Sequence, residues 1–251
     1  MAPFPFLDHP GPIPFAHRGG ASEAPENTLP AFEHAVRLGY RYLETDVHAT
    51  SDGVLVAFHD DRLDRVTDRT GAIAELPWSE VSRARVDGRE PIPLLEDVLG
   101  TWPDVRVNID PKEDSSVEPL IQTIKRTGSV HRVCVGAFSD ERIDRVRAGV
   151  GPELCTGMGP DEMVDLIRAF KGEDVTFRSQ AAQIPTTDPK GRPLATPELV
   201  DTAHRFGIQV HIWTIDEPDE MHRLLDLGVD GIMTDRPAVL RQVFEERDIW
   251  H

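Results

Sequence analysis

Short apolar runs alternate with longer segments of helical periodicity along most of the chain. Runs at residues 13–17, 41–48, 105–110, 132–138, 153–158, 175–184, 208–213 and 230–234 read as strands, the sixth of them irregular. Between most of them, residues 29–38, 117–126, 141–147, 161–170, 197–206, 217–227 and 237–247 read as helices. The ends support several of these. Thr28 precedes a helix with Pro30 in its first turn, Thr196 precedes Pro197, and Gly39, Gly207 and Gly228 follow helices. Eight strands alternating with helices in 251 residues predict an α/β fold of the (β/α)8 TIM-barrel type. A doubly wound open sheet is the second choice from pattern alone.

One stretch breaks the rhythm. Residues 53–100, between the second and third barrel strands, are too long for one crossover helix. They hold a strand-like run at 54–58, a polar stretch around Thr70-Gly71 and a helix-like segment at 94–99. This reads as a small insertion at one end of the barrel, within a single domain spanning residues 1–251.

Side chains alternate faces along a strand, so parity assigns each residue to the barrel axis or to the helix layer. On the second strand Leu43, Thr45 and Val47 share one face, and Glu44, Asp46 and His48 share the other. On the third, Val105, Val107 and Ile109 oppose Asn108, Asp110 and Lys112. On the seventh, Ile208, Val210 and Ile212 oppose Gln209, His211 and Trp213. The polar sets aim inward, and Glu44, Asp46, Asp110, Lys112 and Trp213 sit near strand C-termini, where barrels carry their chemistry. Two readings follow. A barrel centre can satisfy its own polar groups. Three inward carboxylates would otherwise repel one another, and a hard divalent cation with oxygen ligands would relieve that repulsion.

Ten histidines are present. His17 ends the first strand before Arg18-Gly19-Gly20, and His59 ends the 54–58 run before Asp60. Beside an acidic cluster, two such histidines suit proton transfer near neutral pH, and Arg18 and Lys112 supply positive charge for an anionic group. No phosphate-binding GxxxxGK[ST] loop, GxSxG elbow, HExxH pair or dinucleotide-type GxGxxG occurs.

Composition narrows the partners. With 39% hydrophobic and 28% charged residues the chain is of ordinary globular type. A formal charge of −17 disfavours nucleic acid and a polybasic membrane surface. Cys134 and Cys155 are too few for a disulfide framework or a cysteine-rich zinc site. The first 20 residues are interrupted by prolines and show no leader pattern, so a cytoplasmic protein without stable membrane association is expected.

Several motifs, taken together, resemble the glycerophosphodiester phosphodiesterases. They are Ala16-His17-Arg18-Gly19-Gly20 with Pro25-Glu26-Asn27-Thr28, then Leu43-Glu44-Thr45-Asp46-Val47, then Phe58-His59-Asp60 with Leu63 and Arg65-Val66-Thr67. The segment from Ile92 to Leu99, His211-Ile212-Trp213-Thr214 and the run from Gly228 to Pro237 complete the set, which extends from Phe15 to about Arg247. The resemblance implies a barrel with an insertion after the second strand and one divalent cation, Mg²⁺ or Ca²⁺. It implies Glu44, Asp46 and Asp110 as metal ligands, His17 and His59 as the catalytic pair, Arg18 and Lys112 as phosphate contacts, and Trp213 as an aromatic wall. Asp110 departs from the pattern, standing where the family often has Glu.

The implied reaction converts a small glycerophosphodiester to glycerol 3-phosphate and an alcohol. The nucleophile is either water or the substrate's 2-hydroxyl, and either histidine can be the acid. Lysophospholipase D-like or phospholipase-like cleavage ranks second, because it needs a rim that the acidic, aromatic-poor sequence does not display. A non-catalytic phosphodiester-binding barrel ranks third, because both histidines and all three acids are present. The short insertion argues against a deep pocket selective for a large headgroup.

Overall fold

The computed structural model describes residues 4–251. In chain order it contains β1 (Ile13–Ala16), α1 (Leu29–Arg37), β2 (Tyr42–Ala49), β3 (Leu55–Ala57), α2 (Trp78–Val81), β4 (Arg85–Val86), β5 (Glu90–Pro91), α3 (Leu95–Thr101) and β6 (Arg106–Pro111). There follow α4 (Val117–Thr127), β7 (Val133–Val135), α5 (Asp140–Val150), β8 (Cys155–Thr156), α6 (Pro160–Phe170), β9 (Ala181–Ile184), α7 (Pro197–Arg205), β10 (Gln209–Ile212), α8 (Pro218–Leu227), β11 (Gly231–Thr234) and α9 (Pro237–Glu246).

Eight strands lie side by side in the order β8-β7-β6-β2-β1-β11-β10-β9. Each of the seven neighbouring pairs is parallel. The two ends of this row meet through a parallel bridge between Gly157 and Ala181, with Met158 N–H donating to Ala181 O at 2.8 Å and Gln180 N–H to Thr156 O at 2.9 Å. The expected (β/α)8 barrel is therefore present. The Thr28 and Thr196 hydroxyls cap α1 and α7 as the sequence indicates, accepting from Ala31 N–H and Leu199 N–H.

Two segments depart from the sequence reading. Strand character is absent from residues 175–180, because the Arg178 and Ser179 N–H groups donate to the Glu162 carboxylate instead of to a neighbouring strand. The interruption between barrel strands is also shorter than 53–100. Leu95 and Leu99 of α3 are buried with Val107, Ile109, Leu120 and Ile124, so α3 is a barrel crossover helix. What remains of the insertion begins with β3, which runs antiparallel to the overhanging end of β2 and pairs His48 with Val56. It encloses its own apolar cluster, which includes Phe58, Leu63, Ile73, Val81 and Ile92.

The strand parity holds. Asn108, Gln183 and His211 form a polar layer inside the barrel: the Gln183 side-chain NH2 donates to Asn108 Oδ1 at 2.8 Å and lies 3.4 Å from His211 Nδ1. Gln183 fits because its neighbours are glycines; a Cβ on Gly136 would come within 2.8 Å of its Oε1. His211 Nε2–H donates to Gln209 Oε1 at 3.0 Å, which leaves Nδ1 as an acceptor and the ring neutral. Burial pushes the His211 pKa down to about 3.

That depression predicts an acid sensitivity. Below the ordinary value of 6.5 the unfolded chain takes up a proton at this position and the folded chain does not, until about pH 3. Stability therefore falls as pH falls through that window, with a slope of one proton. Urea midpoints at pH 7.5 and 5.5 should lie further apart in the parent than in His211→Gln; equal separations would show that the ring is not buried in its neutral form.

Candidate active site

The ends of β1, β2 and β6 bring the acidic residues together. In the parallel register of β2 and β6, Asp46 lies opposite Asp110 and Glu44 opposite Asn108. Lys112, on the same face just past Asp110, places Nζ 2.7 Å from Asp46 Oδ1 and 2.7 Å from Asp110 Oδ2. From the end of β1, Arg18 Nε lies 3.2 Å from Asp46 Oδ2, and the Arg18 backbone N–H donates to Glu44 Oε2 at 3.1 Å. That approach needs a left-handed turn, and Arg18 has φ 51°. The glycines that follow are fixed by packing as well as by φ: a Cβ on Gly19 would lie 2.8 Å from Ala31, and one on Gly20 2.6 Å from Pro237. The Asn27 side chain completes the support, donating to Asp46 Oδ2 at 3.2 Å while accepting from the Thr45 hydroxyl at 2.7 Å.

These contacts leave the carboxylates unequally served. Asp46 is 2% exposed, and although burial works against its charged form, Lys112 and Arg18 hold its pKa below the usual carboxylate range. Burial, with Asp46 adding to it, pushes Glu44 up to about 7. Burial also raises Asp110, whose Oδ1 is buried without a hydrogen-bond partner among the described residues. Burial lowers the His17 pKa, but Glu44 and Asp235 more than offset it, so it stands above its ordinary value.

Each predicted histidine is held at Nδ1 by a carboxylate. His17 Nδ1 lies 2.7 Å from Asp235 Oδ1, with Nε2 3.7 Å from Glu44 Oε2. His59 Nδ1 lies 2.6 Å from Asp60 Oδ1. A carboxylate can only accept, so both rings carry hydrogen on Nδ1 and keep Nε2 for proton exchange. A chain of ion pairs joins the two sides: Arg18 to Glu26 at 3.2 Å, Glu26 to Arg65 at 2.7 Å and Arg65 to Asp60 at 2.6 Å. The hydrogen bond from Arg65 is the main reason that Asp60 is lowered to about 2.

All eight predicted site residues line one cavity of about 1100 Å³: His17, Arg18, Glu44, Asp46, His59, Asp110, Lys112 and Trp213. His48 shares parity with Glu44 and Asp46 but does not line it; its Nε2–H donates to His59 O at 3.0 Å and so ties β2 to the insertion. Asp235 and Glu26 had no assigned role in the sequence reading. An acid directly after the last barrel strand was the available signal for Asp235. The cavity is bounded by more than the insertion. Its outer walls come from α6 and residues 185–194 more than from the insertion, and they include Phe138, Val164, Ile167 and Phe170. Phe138 meets Trp213 edge to face at 5.9 Å between ring centroids.

Among the described residues, no three His, Cys, Asp or Glu side chains form a ready metal cage, since the Lys112 ammonium stands between Asp46 and Asp110. The donor chemistry nevertheless fits a hard divalent cation. All three acids present oxygen, Asp110 Oδ1 lacks a partner among the described residues, and burial together with Asp46 pushes Glu44 up to about 7.

Comparisons with known proteins agree with this arrangement. A relative from Mycobacterium tuberculosis, named "Probable glycerophosphodiester phosphodiesterase 2", is 41% identical, with 98% of this chain and 95% of that protein covered. The human protein "Lysophospholipase D GDPD1" is 32% identical, covering 90% of this chain and 84% of its own. The fold is shared with an Oleispira antarctica phosphodiesterase solved with the product sn-glycerol-3-phosphate, at a TM-score of 0.77 and 22% identity over 94% of this chain and 97% of that one. The sequence model of the "Glycerophosphoryl diester phosphodiesterase family" matches residues 17–239, and the chain belongs to that family.

Proposed function

We propose that this protein is a metal-dependent hydrolase of small glycerophosphodiesters, such as glycerophosphocholine and glycerophosphoethanolamine, releasing glycerol 3-phosphate and the free alcohol. The observation that carries this reading is the pair of histidines, each held at Nδ1 by a carboxylate, beside the buried acidic cluster of Glu44, Asp46 and Asp110. Membership of the family and the product seen in the Oleispira antarctica structure support the same reaction class.

The proposed roles follow from position. His17 and His59 divide the proton transfers: one takes a proton from the attacking hydroxyl, and the other gives one to the leaving alkoxide. Asp235 and Asp60 fix the two rings. Arg18 and Lys112 face the non-bridging phosphoryl oxygens, where charge develops. Trp213 packs on the glycerol carbons, with Phe138 against its edge.

Glu44, Asp46 and Asp110 would hold a cation such as Mg²⁺ or Ca²⁺. When bound, it supplies Lewis-acid polarisation of a phosphoryl oxygen and a template for the diester. Charge counting supports this assignment. With all three carboxylates ionised, as metal ligands must be, Arg18 and Lys112 leave one negative charge uncompensated. A divalent ion turns that into one positive charge, which a diester monoanion neutralises. The acidic chain, with its −17 charge, supports small anionic substrates over nucleic acid. No helix among the described residues is long and apolar enough to cross a membrane.

Chelation with EDTA should remove turnover of glycerophosphocholine, and Mg²⁺ or Ca²⁺ should restore it. Full activity after chelation would exclude the cation. His17→Ala and His59→Ala should each lower kcat by about 10²–10⁴-fold with an unchanged circular-dichroism spectrum; near-parental turnover would remove that residue from the chemistry. Asp235 contributes a hydrogen bond and a charge that raise the His17 pKa, so Asp235→Ala should lower it, as followed by NMR titration of the ring. An unmoved midpoint would mean that Asp235 does not hold His17.

A further inference from the structure

Arg65 and Glu26 do not line the cavity, yet they join its two sides. The Arg65 guanidinium donates to Glu26 through Nη1 at 2.9 Å and Nη2 at 2.7 Å, and to Asp60 through Nε at 2.6 Å and Nη2 at 3.0 Å. Four of its five N–H groups thus serve two carboxylates, one on each side. Its own segment is held in a turn: Leu63 is buried in the apolar cluster of the insertion, and the Thr67 hydroxyl donates to Leu63 O at 2.8 Å. Glu26 belongs to the loop between β1 and α1 and accepts from Arg18 Nη1, in the same loop, at 3.2 Å. Asp60 belongs to the insertion and holds His59 Nδ1.

The need for such a tie comes from the way His59 is mounted. Its main chain is placed by Phe58 N–H, which donates to Asp46 O at 2.9 Å, and by His48 Nε2–H, which donates to His59 O. These bonds locate the segment and leave the imidazole free to turn about its own side-chain bonds. Asp60 alone does not stop that turning, because it is the next residue and moves with the same segment. Glu26, on the barrel loop, is the fixed point outside the insertion. An exposed ion pair ordinarily adds little to stability. Here the two carboxylates are sheltered, at 14% and 22% exposure, and a planar fork grips both, which fixes direction as well as distance. We infer that Arg65 and Glu26 are positioning residues, which act through Asp60 to keep the His59 imidazole turned with Nε2 towards the cavity, on a set bearing from the loop that carries His17 and Arg18. The inference rests on the phosphodiesterase reading for what His59 does. The substrate phosphate is not the partner of Arg65, whose donors are taken and whose side chain lies outside the cavity lining.

The test compares kinetics on glycerophosphocholine with the state of the two histidine rings. A misplacement of about 1 Å can cost about 10²-fold, so Arg65→Gln should lower kcat by about that factor while KM stays within about twofold. Glu26→Gln cuts the same tie from the barrel side and should also lower kcat; parental kcat in either variant would overturn the inference. Arg65→Lys keeps the charge but offers a point instead of a fork, and should restore only a small part of the loss. Full restoration by lysine would show that charge alone matters and reject the positioning role. Added to Asp60→Ala, Arg65→Gln should cost no more than about a further twofold, because the path through Asp60 is already cut. Losses that multiply would instead place Arg65 outside that path and count against the inference. Proton–nitrogen correlation spectra of the imidazoles read the tie without turnover. In the parent both rings should carry hydrogen on Nδ1. In Arg65→Gln the His59 ring should lose that preference while His17, held by Asp235, keeps it and so reports an intact barrel. An unchanged His59 ring, or a change at both rings, would reject a tie specific to His59. If the parent cleaves no glycerophosphodiester, the phosphodiesterase reading has failed, and the spectra alone decide whether Arg65 holds His59.

Discussion

Three carboxylates must be kept together where water barely reaches them, and most of the surrounding architecture serves that requirement. Two like charges at 4 Å repel by about 4 kcal/mol even at an effective dielectric of 20. The register of β2 and β6 sets Asp46 against Asp110 and so creates the problem. The same register lets Lys112 reach both. Arg18 arrives only because the chain turns left-handed after His17, and that turn is possible only with glycines packed against α1 and α9. The opening motif of the chain is therefore an electrostatic support as much as the source of a histidine proposed for catalysis.

The parts of this arrangement legible in the sequence are those whose cause is local. Strand and helix alternation follows from apolar periodicity, and strand parity places Glu44, Asp46, Asp110 and Lys112 on one axis without knowledge of their neighbours. Partners distant along the chain were not legible. Asp235 acts on a histidine 218 residues away, and nothing beside it marks that pairing. Residues 175–180 have the composition of a strand, yet the Glu162 carboxylate takes the backbone donors of Arg178 and Ser179. The exposure of Val164, Ile167 and Phe170 on α6 was not legible either, because in the linear sequence they resemble ordinary core and their exposure depends on what the neighbouring segments leave uncovered.

The cavity joins two unlike environments. Its floor is charged and stiffly cross-linked, from Arg18 through Glu26 and Arg65 to Asp60. Its outer wall is apolar and makes few polar commitments. On the proposed reading, the charged floor would engage the phosphate and the apolar wall the rest of the substrate, so that the two could vary independently.

The two histidines also belong to different packing units. His17 stands on the barrel proper, whereas His59 follows β3 and is borne by the insertion, whose apolar cluster is its own. Such a unit can open while the larger core stays closed. If His59 carries the role proposed for it, turnover gauges the local order of the insertion: it should fade under heat or denaturant before the far-ultraviolet signal of the barrel does, and the interval between the two transitions would measure how tightly the smaller unit is fastened to the larger.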